Sequence, residues 1–360
     1  MSETDKKLSL IRSAMSAHGV SAVLLRGVDW VSWVTGGGSS VVILTTETGV
    51  AQVLITLKDA TIVTNTIERE RLEAEEIPPG FQFWAGAWND APSMTRWIHA
   101  QLGGGVLASD RPEAGEQPLP QRVMDAKRRL LPEELPRYRK LGEEAAQAMR
   151  EALHAAEPSW SEFQLAAAGS SALWKRGIHP TLTLVGGERR RVRYRHPVPT
   201  SEKLGRSAML VFCARRHGLY ANLTRFVFFE PPTEQEIHQF RLLAEIEACV
   251  FEKTRPNVTL GQAYQALASA YTERGFPQEE LNHHQGGTTG YLSREVVALP
   301  GSEVQIEDHM ALAWNPSLPG AKIEDTVVVV DGQLEFLTRD PHWPMTQVAG
   351  RWRPDLWVRL

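Results

Sequence analysis

The residues from Ser207 to Phe229, SAMLVFCARRHGLYANLTRFVFF, constrain the fold of this chain more than any other stretch. Two apolar runs of strand length, Met209–Cys213 and Thr224–Phe229, flank a short segment that contains Gly218. A glycine between two strand-like runs is typical of a turn that reverses the chain. We therefore predict an antiparallel hairpin at this place in the sequence.

The first third of the chain alternates between short strand-like and helical patterns. A helix is predicted over Lys6–Ala17, and Gly19 ends it. Strand-like pieces are Ser21–Leu25, Val41–Thr45, Ala51–Ile55, Phe81–Trp84 and Val106–Ala108, and helical pieces are Lys58–Arg71 and Ser93–Leu102. This alternation indicates a small α/β domain. Because Pro112–Gln121 is rich in Pro, Gly and Glu and is typical of a connector, we place this domain at residues 1–122.

The remaining residues, 123–360, combine long helices with antiparallel strands. One amphipathic helix should start between Pro132 and Pro136, and another should span Ser161–Arg176. Capping boxes predict two further helix starts, at Thr233 with Glu236 and at Thr259 with Gln262. Strand pairs are predicted at Met209–Cys213 with Thr224–Phe229 and at Met310–Asn315 with Thr326–Val330. Two helices plus strands, repeated once, indicate a pseudo-symmetric α+β domain around a curved sheet.

The composition excludes several classes of partner. The net charge is −4 and the isoelectric point is near 6.3, so no basic field attracts nucleic acid or an anionic membrane. The sequence has no apolar run long enough to span a bilayer. Its two cysteines, Cys213 and Cys249, cannot form a disulfide framework. We expect a cytoplasmic protein that binds a small polar molecule or a short peptide.

Four segments carry a resemblance to a known family. They are RHPVPT at Arg195–Thr200, LVFCARRHGLYANLTR at Leu210–Arg225, HHQGGTTGY at His283–Tyr291 and WNPSLPGAKIEDTVVV at Trp314–Val329. In this order they resemble the creatinase, prolidase and aminopeptidase P family, whose catalytic domain has the pita-bread fold. The resemblance implies an α+β pita-bread domain at residues 123–360, a creatinase/prolidase-type α/β domain before it, and a homodimer.

The same resemblance assigns positions to the family's metal ligands, and most of them are altered here. The proton-shuttling histidine falls on His196. The five metal-ligand positions fall on Val211, Asn222, His284, Asn315 and Glu324. Only His284 and Glu324 keep a ligating residue type, whereas hard divalent ions bind mainly through carboxylates. We therefore predict that no dinuclear metal site forms and that the protein uses no metal cofactor; the alternative is a single weakly held ion on His284 and Glu324.

The residues predicted to act on a substrate follow from these positions. Those assigned to catalysis are His196, His284 and Glu324, and those assigned to substrate binding are Asn222, Asn315, Arg193, Arg195 and Tyr291. An imidazole titrates near neutrality and suits acid–base work, and an amide donates to a developing oxyanion. A carboxylate in the cleft would hold a cationic group or assist His196.

Each assignment has a structural alternative. His196 would then be a surface histidine beside a turn, and Glu324 would pair with Lys322 or Arg225. The run ERRRVRYRH, Glu188–His196, would be a solvated charged face. If this run is extended, Arg191, Arg193 and Arg195 share one side of the backbone.

Three functions remain open from the sequence. The first is a metal-independent hydrolase of a C–N bond in a small polar substrate, for which creatinase offers a precedent on the same fold. The second is a non-catalytic binding protein on this fold. The third is a metal-dependent Xaa-Pro dipeptidase, which would need a metal-activated water.

Overall fold

The computed structural model describes residues 1–359, which divide into two units. Unit 1 comprises residues 1–134 and 217–219, and unit 2 comprises residues 135–216 and 220–359. Within the described range, no helix is both long enough and apolar enough to cross a bilayer.

Unit 1 is built on a mixed six-stranded sheet. Its strands are β1 (Ala22–Gly27), β2 (Thr48–Thr56), β3 (Ala60–Asn65), β4 (Gln82–Gly86), β5 (Leu107–Ser109) and β6 (Gln117–Pro118). Its helices are α1 (Glu3–His18), α2 (Val28–Val34), α3 (Arg69–Arg71), α4 (Ala91–Leu102) and α5 (Gln121–Arg128), with a π-helical turn at Leu72–Glu76. The spatial order is β4-β3-β2-β1-β5-β6, and the buried face includes Leu24, Leu54 and Val63.

Two sequence predictions in unit 1 are wrong. The segment Lys58–Arg71 is not one helix, because residues 60–65 form the interior strand β3 and the helical part is the short α3 at its end. Its run of Ala, Thr, Ile and Val is rich in β-branched side chains, which favour a strand once neighbouring strands bury them. Val41–Thr45 is not a strand but an irregular loop, in which Val42 and Ile43 are exposed.

Unit 2 consists of long helices and two main sheets, of which one is antiparallel and the other also contains a parallel edge strand. Its helices are α6 (Leu135–Ala155), α7 (Glu162–Trp174), α8 (Glu188–Arg191), α9 (Glu234–Lys253) and α10 (Leu260–Glu273), with a 3₁₀ turn at Glu279–Asn282. Its strands are β7 (His179–Gly187), β8 (Ser207–Arg216), β9 (Leu219–Phe228), β10 (Gly286–Thr289), β11 (Val296–Val297), β12 (Ala311–Trp314), β13 (Ser317–Leu318), β14 (Ala321–Lys322), β15 (Asp325–Val330), β16 (Gln333–Phe336), β17 (Met345–Val348), β18 (Arg351–Pro354) and β19 (Trp357–Val358).

The predicted hairpin of unit 2 is confirmed as the neighbouring strands β8 and β9. The turn between them consists of His217 and Gly218, which both have positive φ (51° and 77°). A two-residue turn of this kind matches the twist of the strands it joins. The capping boxes that begin α9 and α10 are also confirmed, with both reciprocal hydrogen bonds present in each.

The two main sheets of unit 2 meet at one bridge. One sheet has the strand order β11-β10-β12-β15-β16, and the other has β19-β9-β8-β7. An isolated antiparallel bridge between Thr224 and Glu324 joins them, and the Thr224 amide donates to the Glu324 carbonyl at 3.1 Å. Side chains of both sheets therefore meet around Glu324. Behind the first sheet, α9 and α10 cover a large apolar core that includes Leu243, Leu267 and Trp314.

Candidate functional site

The site residues of unit 2 come together because the strand registers bring their positions into line. In the β12–β15 pair, Trp314 lies opposite Asp325, so the next positions, Asn315 and Glu324, face each other where the ladder ends. The backbone N–H of Asn315 donates to the backbone carbonyl of Gln285 at 3.1 Å, which brings Asn315 beside His284. Asn222 and Thr224 lie on β9 at the bridge to Glu324.

Three histidines form a cluster at this place. The Nε2 atoms of His196 and His283 are 3.0 Å apart and share a proton, so one of the two rings is the Nε2–H tautomer. The His284 ring stacks on His283 at a centroid distance of 4.6 Å. Candidate ligand nitrogens of all three lie within 4.8 Å of one another, which makes the cluster a possible metal-binding group.

All three imidazoles are held in the neutral form at pH 7. Burial and the positive charge of Lys322 lower the pKa of His283 to about 2. The pKa of His284 falls to about 4, mainly through desolvation of its ring and through Arg294. Desolvation and Lys322 also lower the pKa of His196, although much of that residue is exposed. A neutral imidazole can accept or relay a proton.

Glu324 is surrounded by cationic side chains. Its Oε1 accepts a hydrogen bond from Arg294 Nη2 at 2.7 Å, and its Oε2 accepts one from Thr224 Oγ1 at 3.0 Å. Lys322 Nζ lies 3.7 Å from Oε2. Burial alone would raise the pKa of Glu324, but the charges of Lys322 and Arg294 outweigh burial and lower it. Glu324 is therefore an ionised carboxylate whose two oxygens are both engaged by the protein.

Neutral side chains occupy the other positions that resemble metal ligands. Asn222 Nδ2 donates to Thr289 Oγ1 at 3.1 Å and toward the Ser293 carbonyl at 3.4 Å, which fixes the orientation of the amide. The Oδ1 atoms of Asn222 and Asn315 are buried and have no hydrogen-bond partner. Val211 packs in an apolar cluster with Phe226 and Phe228 and offers no ligand atom.

The arginine-rich run is not extended, so the condition under which Arg191, Arg193 and Arg195 would share one side of the backbone is not met. Residues 188–191 form the short helix α8, and the chain then turns. Arg191 is buried, where it donates to Ser207 Oγ and to the Gly320 carbonyl. The backbone N–H groups of residues 193 and 194 both donate to the Arg190 carbonyl. The chain therefore continues in a helical turn just past α8, and this carbonyl at the end of the helix has hydrogen-bond partners.

The remaining predicted substrate-binding residues lie in different surroundings. The Arg193 side chain is exposed, and Arg195 forms an ion pair with Glu279. The Tyr291 ring is fully buried, and its hydroxyl accepts a hydrogen bond from Arg137 at 2.9 Å. Substrate binding by these residues stays a prediction.

Sequence reasoning missed the role of Arg294. It is ten positions beyond His284, and no local pattern connects it to Glu324. Lys322 carried a usable signal, since residues two apart on an extended segment point to the same side, and the expected pairing with Glu324 is present. Arg225, the other expected partner of Glu324, pairs with Asp325 instead, at 2.7 Å.

A cavity in unit 2 lies away from these residues. It has a volume of about 570 Å³ and lies between α9 and the strands β17 and β18, with Phe240, Arg241 and Ile323 in its lining. None of the histidines or asparagines of the site lines it. The chemistry-bearing groups are therefore at the meeting point of the two sheets and not in this cavity.

Solved structures share this fold over almost the whole chain. The prolidase from Pyrococcus horikoshii OT3 is 19% identical, with a TM-score of 0.78 over 93% of this chain and 98% of that one. The X-Pro aminopeptidase from Thermotoga maritima MSB8 is 15% identical, with a TM-score of 0.79 over all of both chains. The N-terminal domain of the FACT complex subunit SPT16 from Cicer arietinum is 12% identical, with a TM-score of 0.70 over 94% of this chain and 96% of that one. The protein therefore has a pita-bread α+β domain preceded by an α/β domain, as predicted.

The sequence itself matches the family model described as metallopeptidase family M24 over residues 136–331. The chain belongs to metallopeptidase family M24, and the resemblance predicted from its four segments is confirmed. No curated protein matches it.

Proposed function

We propose that the protein is a metal-independent hydrolase of a C–N bond in a small polar substrate, with His196 as the acid–base group. The observation that carries this proposal is the state of Glu324. It is the one carboxylate left among the positions that resemble metal ligands, and Arg294 and Lys322 already neutralise it. The proposal includes a cytoplasmic location and a homodimer.

Two divalent metal ions do not fit the residues at this place. Val211 has no ligand atom, and Asn222 and Asn315 offer neutral amide oxygens in place of carboxylates. Paired divalent ions would bring about four positive charges next to Arg294 and Lys322, with one carboxylate to offset them. The three histidines supply imidazole nitrogens but no anionic oxygen, whereas a dinuclear site of hard ions depends on bridging carboxylates.

The residues that are present can carry a hydrolysis without a metal. A neutral His196 takes a proton from the attacking water as its oxygen bonds to the substrate carbon. The hydrogen bond between the Nε2 atoms of His196 and His283 lets the pair hold that proton until the leaving nitrogen takes it and the C–N bond breaks. His284 can donate an N–H to the oxyanion. Glu324 positions the cations Arg294 and Lys322, which attract a negatively charged substrate.

A metal-content and turnover measurement tests this proposal. The purified protein is analysed for bound metal by mass spectrometry and then assayed on small amides and Xaa-Pro dipeptides, with a chelator and with added manganese. We expect chelator-insensitive amide hydrolysis that His196→Ala removes. His238→Ala, which changes an exposed histidine on α9, is the matched control and should keep full activity. Two tightly bound metal ions, or dipeptide hydrolysis that depends on manganese, would identify a metal-dependent dipeptidase instead.

A non-catalytic binding protein is the second candidate. One observation favours it: the fold is shared with the SPT16 domain, which is described as part of a complex subunit and not as a peptidase. If this reading is correct, His196→Ala leaves ligand binding intact and no amide is turned over under any metal condition.

A further inference from the structure

The charged side chains around Glu324 carry more positive than negative charge. Arg294 and Lys322 contribute two cations, Glu324 contributes one anion, and the asparagines are neutral. Lys322 is 5% exposed, and its nearest carboxylate oxygen is 3.7 Å away, beyond hydrogen-bond distance. Glu324 Oε2 also accepts from Thr224, so one carboxylate balances two cations, whereas buried charges in proteins are usually fully paired. An additional anion would complete the charge balance.

The same cluster contains several polar atoms without partners. Four buried atoms have none, namely Asn222 Oδ1, Asn315 Oδ1, His283 Nδ1 and Arg294 Nε. Buried polar atoms in folded proteins nearly always have a hydrogen-bond partner, so a group of four in one place indicates that the partner is not part of the polypeptide. The two amide oxygens accept and therefore need N–H or O–H donors, whereas Arg294 Nε donates and needs an acceptor.

We propose that this site, if it acts as the hydrolase proposed above, takes a substrate that combines a carboxylate with an uncharged N–H group, such as an N-acyl or ureido acid. The carboxylate balances Lys322 and Arg294, and the N–H group donates to Asn222 and Asn315. A substrate with a guanidinium or free ammonium group is rejected. Glu324 has no oxygen left for such a cation, since Arg294 takes one and Thr224 and Lys322 take the other.

Calorimetric titration with three matched probes tests the proposal on the full chain. Ureidoacetate carries a carboxylate and a neutral ureido group. Guanidinoacetate replaces the ureido group by a cation, and ureidoacetamide replaces the carboxylate by a neutral amide. We expect ureidoacetate to bind about tenfold or more tightly than either of the others, because one unfavourable charge in a partly shielded site has this effect.

Two variants make the assignment specific. Asn315→Asp keeps the side-chain shape and adds a negative charge, so the preference should shift toward guanidinoacetate. Arg294→Gln should weaken the binding of ureidoacetate about tenfold and leave the affinity for ureidoacetamide unchanged. Arg96→Gln, which changes an arginine of unit 1 that is 70% exposed, is the control and should change neither. Thermal melts establish that each variant is folded, and the Asn315→Asp shift is a gain that misfolding cannot produce.

The outcomes separate this proposal from the proposed function. Binding of ureidoacetate without turnover of any amide supports the ligand class and refutes the hydrolase. Hydrolysis of a cationic amidine, or equal affinity for ureidoacetate and guanidinoacetate, overturns the ligand class and leaves the hydrolase standing. Absence of ureidoacetate binding at millimolar concentration also overturns the ligand class.

Discussion

The contact between Arg294 and Glu324 gives the most direct test of the electrostatics at this site. Arg294→Gln removes the 2.7 Å hydrogen bond and the positive charge that face a carboxylate that is 3% exposed. Removing one partner of a buried ion pair costs about 3–5 kcal/mol. Because Lys322 and Thr224 stay beside Glu324, we expect the lower end, about 3 kcal/mol. For a unit of this size, that loss corresponds to a fall in melting temperature of about 6–12 °C.

A double-mutant cycle measures the interaction itself. Glu324→Gln alone leaves two buried cations without a counter-charge and should also destabilise the protein. In the double variant, Arg294→Gln with Glu324→Gln, Lys322 is the one charge left, and burial already lowers its pKa toward the neutral amine. The double variant should therefore be more stable than the sum of the single changes implies, by about 2 kcal/mol.

The assay is urea unfolding of the full chain at pH 7, followed by tryptophan fluorescence and by far-ultraviolet circular dichroism. The two signals must change together for one free energy of unfolding to be defined, since the chain has two units. A coupling energy near zero would contradict the reasoning, because Arg294 would then not be neutralising Glu324. Acquisition of two metal ions by wild-type protein on dialysis would contradict it as well.

Three further predictions follow from the structure. The free energy of unfolding should fall as pH drops below about 6.5, because the histidines of the unfolded chain bind protons in this range. The pKa of His283 is about 2 in the folded protein, so its contribution to the free energy of unfolding is complete above the pKa of an unfolded histidine and is lost as pH falls. The urea midpoint of His283→Asn should therefore fall less steeply than that of the wild type between pH 7.5 and pH 5. Gly286→Ala should lower the free energy of unfolding by more than about 3 kcal/mol, because φ is +118° and the new Cβ would lie 2.2 Å from the Ala313 carbonyl oxygen. Gly275→Ala is the matched control, since φ is +87° and no atom lies within 4 Å of the new Cβ, and it should cost about 1 kcal/mol. Equal melting temperatures of the two variants would refute this. Arg353→Met should cost about 3–5 kcal/mol, because it leaves Glu247 and Asp325 buried without their shared partner, and an unchanged urea midpoint would refute it.

Local patterns predicted the elements of unit 2 well. The hairpin of β8 and β9 and the capped starts of α9 and α10 depend on residues a few positions apart, and all are confirmed. Sequence patterns gave wrong predictions where neighbouring strands decide the conformation of a segment. Residues 60–65 become a strand because the strands β2 and β4 lie on either side, and no property of the segment alone required this.

The candidate site was predicted in its composition but not in its contacts. The sequence placed His196, Asn222, His284, Asn315 and Glu324 in one site through the family resemblance. The register of β12 with β15 then brought Asn315 and Glu324 together, and the bridge at Thr224 brought in β9. The proton shared by His196 and His283 joins residues 87 positions apart, a separation over which no local pattern acts.

The sequence by itself determined the fold and the loss of ligand types, because a residue that lacks a ligand atom, such as Val211, lacks it in every conformation. The tertiary structure alone decided which charges surround Glu324. Arg294, in the segment between β10 and β11, reaches Glu324 only once the sheet of β10, β12 and β15 has formed, and the Coulomb interaction of Arg294 and Lys322 with Glu324 depends on distances and burial that the order of residues does not contain.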